Sequence, residues 1–477
     1  MSSALIIGSG VSGLTSAVLL AEHGWQVTVL EAHAIPGGLM QRFRRGPYWF
    51  DTGFHFITGG GPNGPFRPLA ERLGILKDIQ FLNHDIKSQF RIHVPNEAPV
   101  DLPTGIDESE AACCTRWPQQ RVALALFFAE LRGCLAQKTW LAMLVPTTTP
   151  PPTIDPNTPV TEVLDRCGVH GLAKEVLGCL AGILAMKPEF TPMGLFSAFA
   201  GTSLAGSYRA ESGGEAIINP LVARLKEHGG KLLTNRAAAR IHFDERQITA
   251  IEDVKGNQHV ADLYLATCHP AEVMRLTGPG GMRPSLEERI RDLPDSDSVV
   301  LVYAALSAAP TELGRRHHFA QMKGSNDLYY LSPSTFYDEE KLPYLEAMVW
   351  ISGNSVAQWR DTVKGKRPAD YEAWKRAREQ EILGEITKIH PSIARTITRI
   401  WSSTPLSVYD YVRSRNGGAM GLSHNVGHIG TDPLPRRNRL KNLFFAGQNI
   451  GHPGVLGAMI EGFVIAGAIV GKDLAPS

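Results

Sequence analysis

The chain has 477 residues, 43% of them hydrophobic and 20% charged, with 48 Lys and Arg against 47 Asp and Glu. That length exceeds one ordinary core, and the composition is that of a globular protein rather than a disordered or fibrous one. The near-cancellation of charge offers no global attraction to nucleic acid, so no such partner is expected, and any peripheral membrane contact must come from apolar surface.

Residues 4–31 read ALIIGSGVSGLTSAVLLAEHGWQVTVLE. A short apolar strand ends at Gly8, the loop Gly8-Ser9-Gly10-Val11-Ser12-Gly13 opens a helix, Gly24 closes it, and a second strand ends in Glu31. Gly8 permits the tight turn, Gly10 lets the backbone approach a pyrophosphate, and Gly13 lets the helix pack against the strand. The helix start at Val11 and Ser12 offers unpaired N–H groups to the phosphates. Glu31, followed by Ala32, is placed to accept hydrogen bonds from ribose hydroxyls and to repel a 2′-phosphate. This unit alone leaves FAD and NAD open. The strand begins almost at the first residue, so no targeting peptide is expected ahead of it.

The next signals are Gly37-Gly38-Leu39-Met40-Gln41-Arg42-Phe43 and Phe50-Asp51-Thr52-Gly53-Phe54-His55-Phe56. Here the sequence resembles the FAD-dependent amine oxidase and phytoene desaturase superfamily, in which a Gly-Gly pair and an FDTG turn run beneath the flavin. The resemblance implies that Gly37, Gly38 and Leu39 approach the cofactor and that Arg42 neutralises phosphate charge. Glu211-Ser212-Gly213-Gly214 and the later Gly229-Gly230 look like the second FAD segment of that superfamily, with Ala238 against the adenine. At the C-terminus, Leu443-Phe444-Phe445-Ala446-Gly447-Gln448 would deliver Gly447 and Gln448 to the ribityl chain. The helix starting at Gly454-Val455-Leu456 would aim its positive end at the flavin pyrimidine.

The runs FDTGFHFITGG and LFFAGQNIGHPGVLGAMIEG are most similar to the retinol saturase and carotenoid isomerase branch. What that implies is hydride-level chemistry at a carbon–carbon double bond: saturation, desaturation or isomerisation of a long apolar polyene, carotenoid- or retinoid-like or polyketide-derived. His55 and His452 are the candidate catalytic side chains, with Tyr409 and Tyr411 as further proton donors. An apolar tunnel is expected, with the stretches 122–128, 177–186 and 193–204 as candidate walls. NAD(P)H, oxygen or a quinone all fit as redox partner, because no second nucleotide unit is visible. Three other readings share the fold: a flavin reductive cyclase of secondary metabolism, an amine oxidase, and a non-enzymatic isoprenoid-lipid carrier of the GDI-like fold. The amine oxidase reading wants an aromatic cage residue before the last helix, and Asn449-Ile450-Gly451-His452-Pro453 has none.

Six cysteines, at 113, 114, 134, 167, 179 and 268, show no CxxC or paired spacing. That speaks against a zinc site or a disulfide framework and suits a reducing compartment, so a cytoplasmic chain without metal is expected. Segments 1–80, 211–290 and 436–477 read as alternating strands and helices with glycine turns. The stretches 81–210, helix-rich with a Thr/Pro run at 146–159, and 291–435, with strand-like runs at 298–307 and 344–352, differ from them. The expected fold is α/β: a Rossmann-like FAD-binding domain assembled from three discontinuous segments, with an inserted α+β substrate-binding domain.

Overall fold

Five short parallel strands form one sheet in the order Lys231–Leu233, Gln26–Leu30, Ser3–Ile7, Leu263–Ala266, Leu443–Phe445. They are seen in a computed structural model that describes residues 1–138, 140–322, 328–337, 341–426 and 434–476. Parts of the expected segments 81–210, 291–435 and 436–477 fall outside these described residues. The sheet draws its strands from distant stretches of chain, as the discontinuous Rossmann-like reading requires. Side chains alternate across it with the period of two that a strand imposes. Ala4 and Ile6 enter one core with Val27 and Val29, while Leu5 and Ile7 enter another with Tyr264 and Ala266.

The helix Val11–Glu22 follows the first strand and buries eleven of its twelve residues, Val11 through Ala21. Two further helices cover it, Glu215–Glu227 and Gly454–Val470. The second contact is very close. A Cβ placed on Gly462 would lie 2.6 Å from the Thr15 side chain and 3.0 Å from the Ser12 carbonyl oxygen. Only glycine lets the two backbones meet there. The other face of the sheet packs against the antiparallel strands Ala238–Asp244 and Gln247–Asp253.

A seven-stranded sheet forms the other half of the molecule, in the order Ile397–Ser403, Ser298–Leu306, Tyr344–Ile351, Leu328–Leu331, His317–Ala320, Phe90–His93, Val100–Leu102. Its pairs are antiparallel except His317–Ala320 with Phe90–His93, which run parallel and join two distant parts of the sequence. All nine residues of Ser298–Leu306 are buried, because both faces are covered. Val300, Val302, Tyr330 and Ala347 face the long helix Ala369–Ile389, whose Ile382, Leu383 and Ile386 pack onto them. Val299, Leu301, Tyr303, Phe319, Tyr329 and Met348 face the opposite way, into the largest core. Helices between Ile106 and Ala205 close that side. Among the described residues, no helix is long and apolar enough to cross a membrane.

Two substitutions read this packing in opposite directions. Gly462→Val should lower stability by about 1–3 kcal/mol, the usual cost of overpacking. Gly384→Ala, in a helix interior with nothing within 4 Å of the new methyl, should raise it by roughly 0.5–1 kcal/mol. Thermal melts of the two variants beside the parent check both signs.

Candidate active site

A continuous cavity of about 330 Å³ runs between the C-terminal edge of the parallel sheet and the inner face of the seven-stranded sheet. At its polar end lie Gly8, Gly10, Val11, Ser12 and Gly13, with Glu31 and Ala32 beside them. Gly8 holds φ at +102°, and a Cβ on Gly13 would sit 2.2 Å from the Gly8 carbonyl oxygen, so the helix starts directly on the turn. A Cβ on Gly10 would meet nothing within 4 Å. Its backbone therefore faces open cavity space at the positive end of a twelve-residue helix. Ser12 is 4% exposed and its Oγ has no partner within the protein. A buried hydroxyl of this kind wants an acceptor, and a phosphate oxygen at the helix start supplies one. Those observations fit a dinucleotide pyrophosphate.

Glu31 is 5% exposed and holds the loop in shape. One carboxylate oxygen accepts from the Ser9 N–H at 3.1 Å and from the Ser9 hydroxyl, and the other accepts from the His33 N–H at 2.9 Å. The oxygen facing His33 keeps capacity for a ribose hydroxyl. Gly37, at φ +121°, and Gly38, at φ +57°, bring the next segment against the loop, so that a Cβ on Gly38 would stand 3.6 Å from the Gly10 Cα. Leu39 and Ala238 complete this end of the wall. Tyr411 also lies here, 5.3 Å from the His33 ring, at the nucleotide end rather than among the apolar residues.

Toward the middle, the turn Thr52-Gly53-Phe54-His55 meets Gly447, Gln448, Gly454 and Val455. Gly447 and Gly454 hold φ at +98° and +78°, and the helix Gly454–Val470 begins at the cavity wall with its N–H groups unpaired. Three expected residues are not on that wall. Leu456 faces the packed interior, 8% exposed. His452, expected as a catalytic side chain, is exposed and is not among the cavity-lining residues. Arg42 was expected to face phosphate. Its Nε lies 3.4 Å from the Asp51 carboxylate and its guanidinium covers Trp49 at 5.7 Å, because the Arg42–Arg45 and Tyr48–Asp51 strands pair Arg42 with Asp51.

His55 is buried at 7% exposure and lines the cavity. Its Nδ1 lies 3.1 Å from a Glu346 oxygen, and its Nε2 has no partner within the protein. Behind it lies a buried charge cluster. Arg209 donates to the His55 carbonyl at 2.7 Å and pairs with Asp51 at 3.2 Å. The Asp51 N–H donates to Glu346 at 3.4 Å, and the Tyr303 hydroxyl donates to the Asp51 carbonyl at 2.7 Å. Burial, and then the Glu346 carboxylate, push the Asp51 carboxyl up, against the pull of Arg209 and Arg42. Burial works against the charge on Arg209, but Glu346 and Asp51 hold its proton more tightly than usual. His55 donates Nδ1–H to the Glu346 carboxylate, and its Nε2 is the nitrogen left without a protein partner.

The sequence reading passed over Glu346 and Arg209. Glu346 stands alone in the apolar run LEAMV and Arg209 lies in the short strand SYRA, and an ionisable residue at an inward strand position was the available signal. One stretch of the wall is apolar: Val299, Leu301, Phe319, Met348 and Trp350 from the sheet, with Gly182, Ile183 and Phe199. The Trp350 indole donates to the Gly182 carbonyl at 2.6 Å. The stretches 177–186 and 193–204 therefore reach the cavity, while 122–128 supplies none of its wall. Tyr329 joins this wall, its hydroxyl 2.6 Å from His317 Nδ1. Burial pushes the phenol well above its usual value and the imidazole well below, so the phenol donates. Burial also pushes the Cys113 thiol up to about 12, which makes the adjacent Cys113 and Cys114 poor nucleophiles.

Comparison with known proteins matches this geometry. Residues 6–73 match the model of an NAD(P)-binding Rossmann-like domain, and residues 160–470 match that of the flavin containing amine oxidoreductases. All-trans-retinol 13,14-reductase of Rattus norvegicus is 22% identical over 99% of this chain and 86% of its own length. The chloroplastic prolycopene isomerase of Arabidopsis thaliana is 27% identical over 27% of this chain and 21% of its own. In fold, the chain is similar to an oxidoreductase from Methanosarcina mazei, with a TM-score of 0.70 at 14% identity over 97% of this chain and 99% of the other. The chain belongs to the flavin-containing amine oxidoreductase family and is an FAD-dependent oxidoreductase of its retinol saturase and carotenoid isomerase-like branch.

Proposed function

We propose that this enzyme acts on a carbon–carbon double bond of a long apolar polyene, by saturation, desaturation or isomerisation. The observation that carries the reading is the cavity beyond His55. Its wall is aliphatic and aromatic on both sides, and the sheet residues Leu301, Phe319 and Met348 offer no charge to a polar substrate. A retinol reductase over nearly the whole chain and a carotenoid isomerase over a quarter of it are the supporting relatives. The apolar wall excludes water from the reacting carbons and aligns an extended chain by shape.

The residues proposed to hold FAD are Gly8, Gly10, Val11, Ser12, Gly13, Glu31, Ala32, Gly37, Gly38, Leu39, Ala238, Gly447, Gln448, Gly454 and Val455, all on the cavity wall. They fall in the segments 1–80, 211–290 and 436–477, which we take as the cofactor domain, with 81–210 and 291–435 as the substrate domain. FAD, when bound, supplies two-electron transfer to or from carbon. His55 takes up or delivers the accompanying proton at Nε2. Glu346 fixes the tautomer through Nδ1 and steadies the imidazolium as it forms, and Arg209 holds the His55 carbonyl and Asp51 in place behind it.

The reading is tested by reducing the flavin without oxygen and adding candidate polyenes. Return of the oxidised flavin spectrum with a two-hydrogen mass gain supports saturation, and a geometric isomer at unchanged mass supports isomerisation. Reduction of oxidised enzyme by a polyene, with loss of two hydrogens, supports desaturation. Inertness toward every polyene, together with reduction by a primary amine, would overturn it.

His55→Gln should retain FAD and lower kcat by about 10²–10⁴, the range of acid–base assistance, with the loss seen in single-turnover flavin kinetics. Glu346→Gln should lower kcat less and move the pH profile of kcat, which a purely structural loss leaves in place. Ser12→Ala should weaken FAD binding by roughly tenfold, the worth of a single hydrogen bond to a charged acceptor, measured by flavin fluorescence on titration of apoprotein.

A further inference from the structure

The structure assigns a transition-metal site to His93, His318 and His390, on the side of the seven-stranded sheet that faces away from the cavity. His318 stands on the strand His317–Ala320 and His93 ends the neighbouring parallel strand Phe90–His93. His390 follows directly on the helix Ala369–Ile389. One ligand nitrogen from each lies within 4.8 Å of the other two. His93 Nε2 and His318 Nδ1 are 3.1 Å apart. Two nitrogens bound tetrahedrally at ~2.0–2.1 Å from one zinc ion would be about 3.3 Å apart.

The rings form a nearly regular triangle. Their centroids are 5.4 Å apart for His93 and His318, and 5.6 Å for each of the pairs with His390. Three imidazoles on one tetrahedral ion place their centroids roughly 5 Å apart, from the same bond lengths. The second nitrogen of His318 lies 2.9 Å from the Leu313 carbonyl, which fixes its proton on Nε2 and leaves Nδ1 bare toward the other rings. That is the tautomer control metal-binding histidines receive from a backbone carbonyl. His390 also sits at the carbonyl end of a twenty-one-residue helix, where the negative end of the dipole favours a cation.

Three neutral imidazoles suit zinc and its late first-row neighbours. His390 closes the triangle by exchanging its 3.1 Å contact with the Tyr330 hydroxyl for the ion, and that hydroxyl then faces the water in the fourth position. Such an ion ties the insertion strand Phe90–His93 to the strand His317–Ala320 and to the end of the covering helix. The next residues on the opposite face, His317 and Phe319, border the apolar wall, so the ion stiffens the back of the substrate cavity.

Flavin-loaded protein with no polyhistidine tag, dialysed against zinc chloride and then against metal-free buffer, should retain one zinc ion per chain by elemental analysis. It should melt several degrees higher than the same sample treated with EDTA. His390→Gln and His93→Gln should lose the bound zinc and the zinc-dependent rise in Tm while keeping the flavin spectrum. Tyr330→Phe should keep both. If the variants do not fold, cobalt(II) added to the parent protein reports instead, since intense visible bands mark tetrahedral nitrogen ligation. No retained zinc in the parent, equal retention in His390→Gln, or only the weak spectrum of six-coordinate cobalt would overturn the assignment.

Discussion

The two halves of this molecule are joined by charges that none of them tolerates alone. Asp51 comes from the hairpin near the flavin loop, Arg209 from the strand before the second glycine segment, and Glu346 from the middle of the seven-stranded sheet. Asp51 and Glu346 are 1% exposed and Arg209 is 4% exposed. An isolated carboxylate in such a setting costs several kcal/mol, and removing one partner from a buried pair costs about 3–5 kcal/mol. Each member of the cluster therefore depends on the other two. Its assembly fixes how the FDTG turn sits against the sheet, and with it where His55 points.

From that fixed point the cavity divides by chemistry. On one side glycines, a helix start and Glu31 offer backbone N–H groups and one carboxylate, a surface for phosphate and ribose. On the other side the same sheet that supplies Glu346 supplies Leu301, Phe319 and Met348. The polar half is shared by many dinucleotide folds and says little about substrate. The apolar half is where substrate shape is read. His55 stands at the boundary with one nitrogen committed to Glu346 and the other uncommitted, which is the placement a proton donor or acceptor needs when the rest of the pocket is inert.

The nucleotide half was legible in the sequence because its signals are local. Gly8, Gly10 and Gly13 are set by a turn and a helix start a few residues long, and Glu31 by the length of one strand–helix–strand unit. Arg42 was misplaced because a strand pairing, not spacing, decides where its guanidinium goes. His452 precedes the extended N-cap Pro453 and is exposed, which a position next to a flavin-facing helix start does not reveal. Glu346 and Arg209 stayed hidden because their partners are more than a hundred residues away in sequence. The cysteine pattern directed attention away from metal, while the three-histidine cluster is built from a parallel strand pair and a helix end that no local motif announces.

The burial of the helix Val11–Glu22 has a consequence for biosynthesis. It is apolar nearly all round, and one of its two covering helices, Gly454–Val470, lies at the far end of the chain. The strand Leu443–Phe445 that completes the parallel sheet is made only just before it. During translation the first helix emerges more than four hundred residues before the helix Gly454–Val470 that covers it. Until those later residues arrive, the amino-terminal unit exposes apolar surface that the finished fold buries.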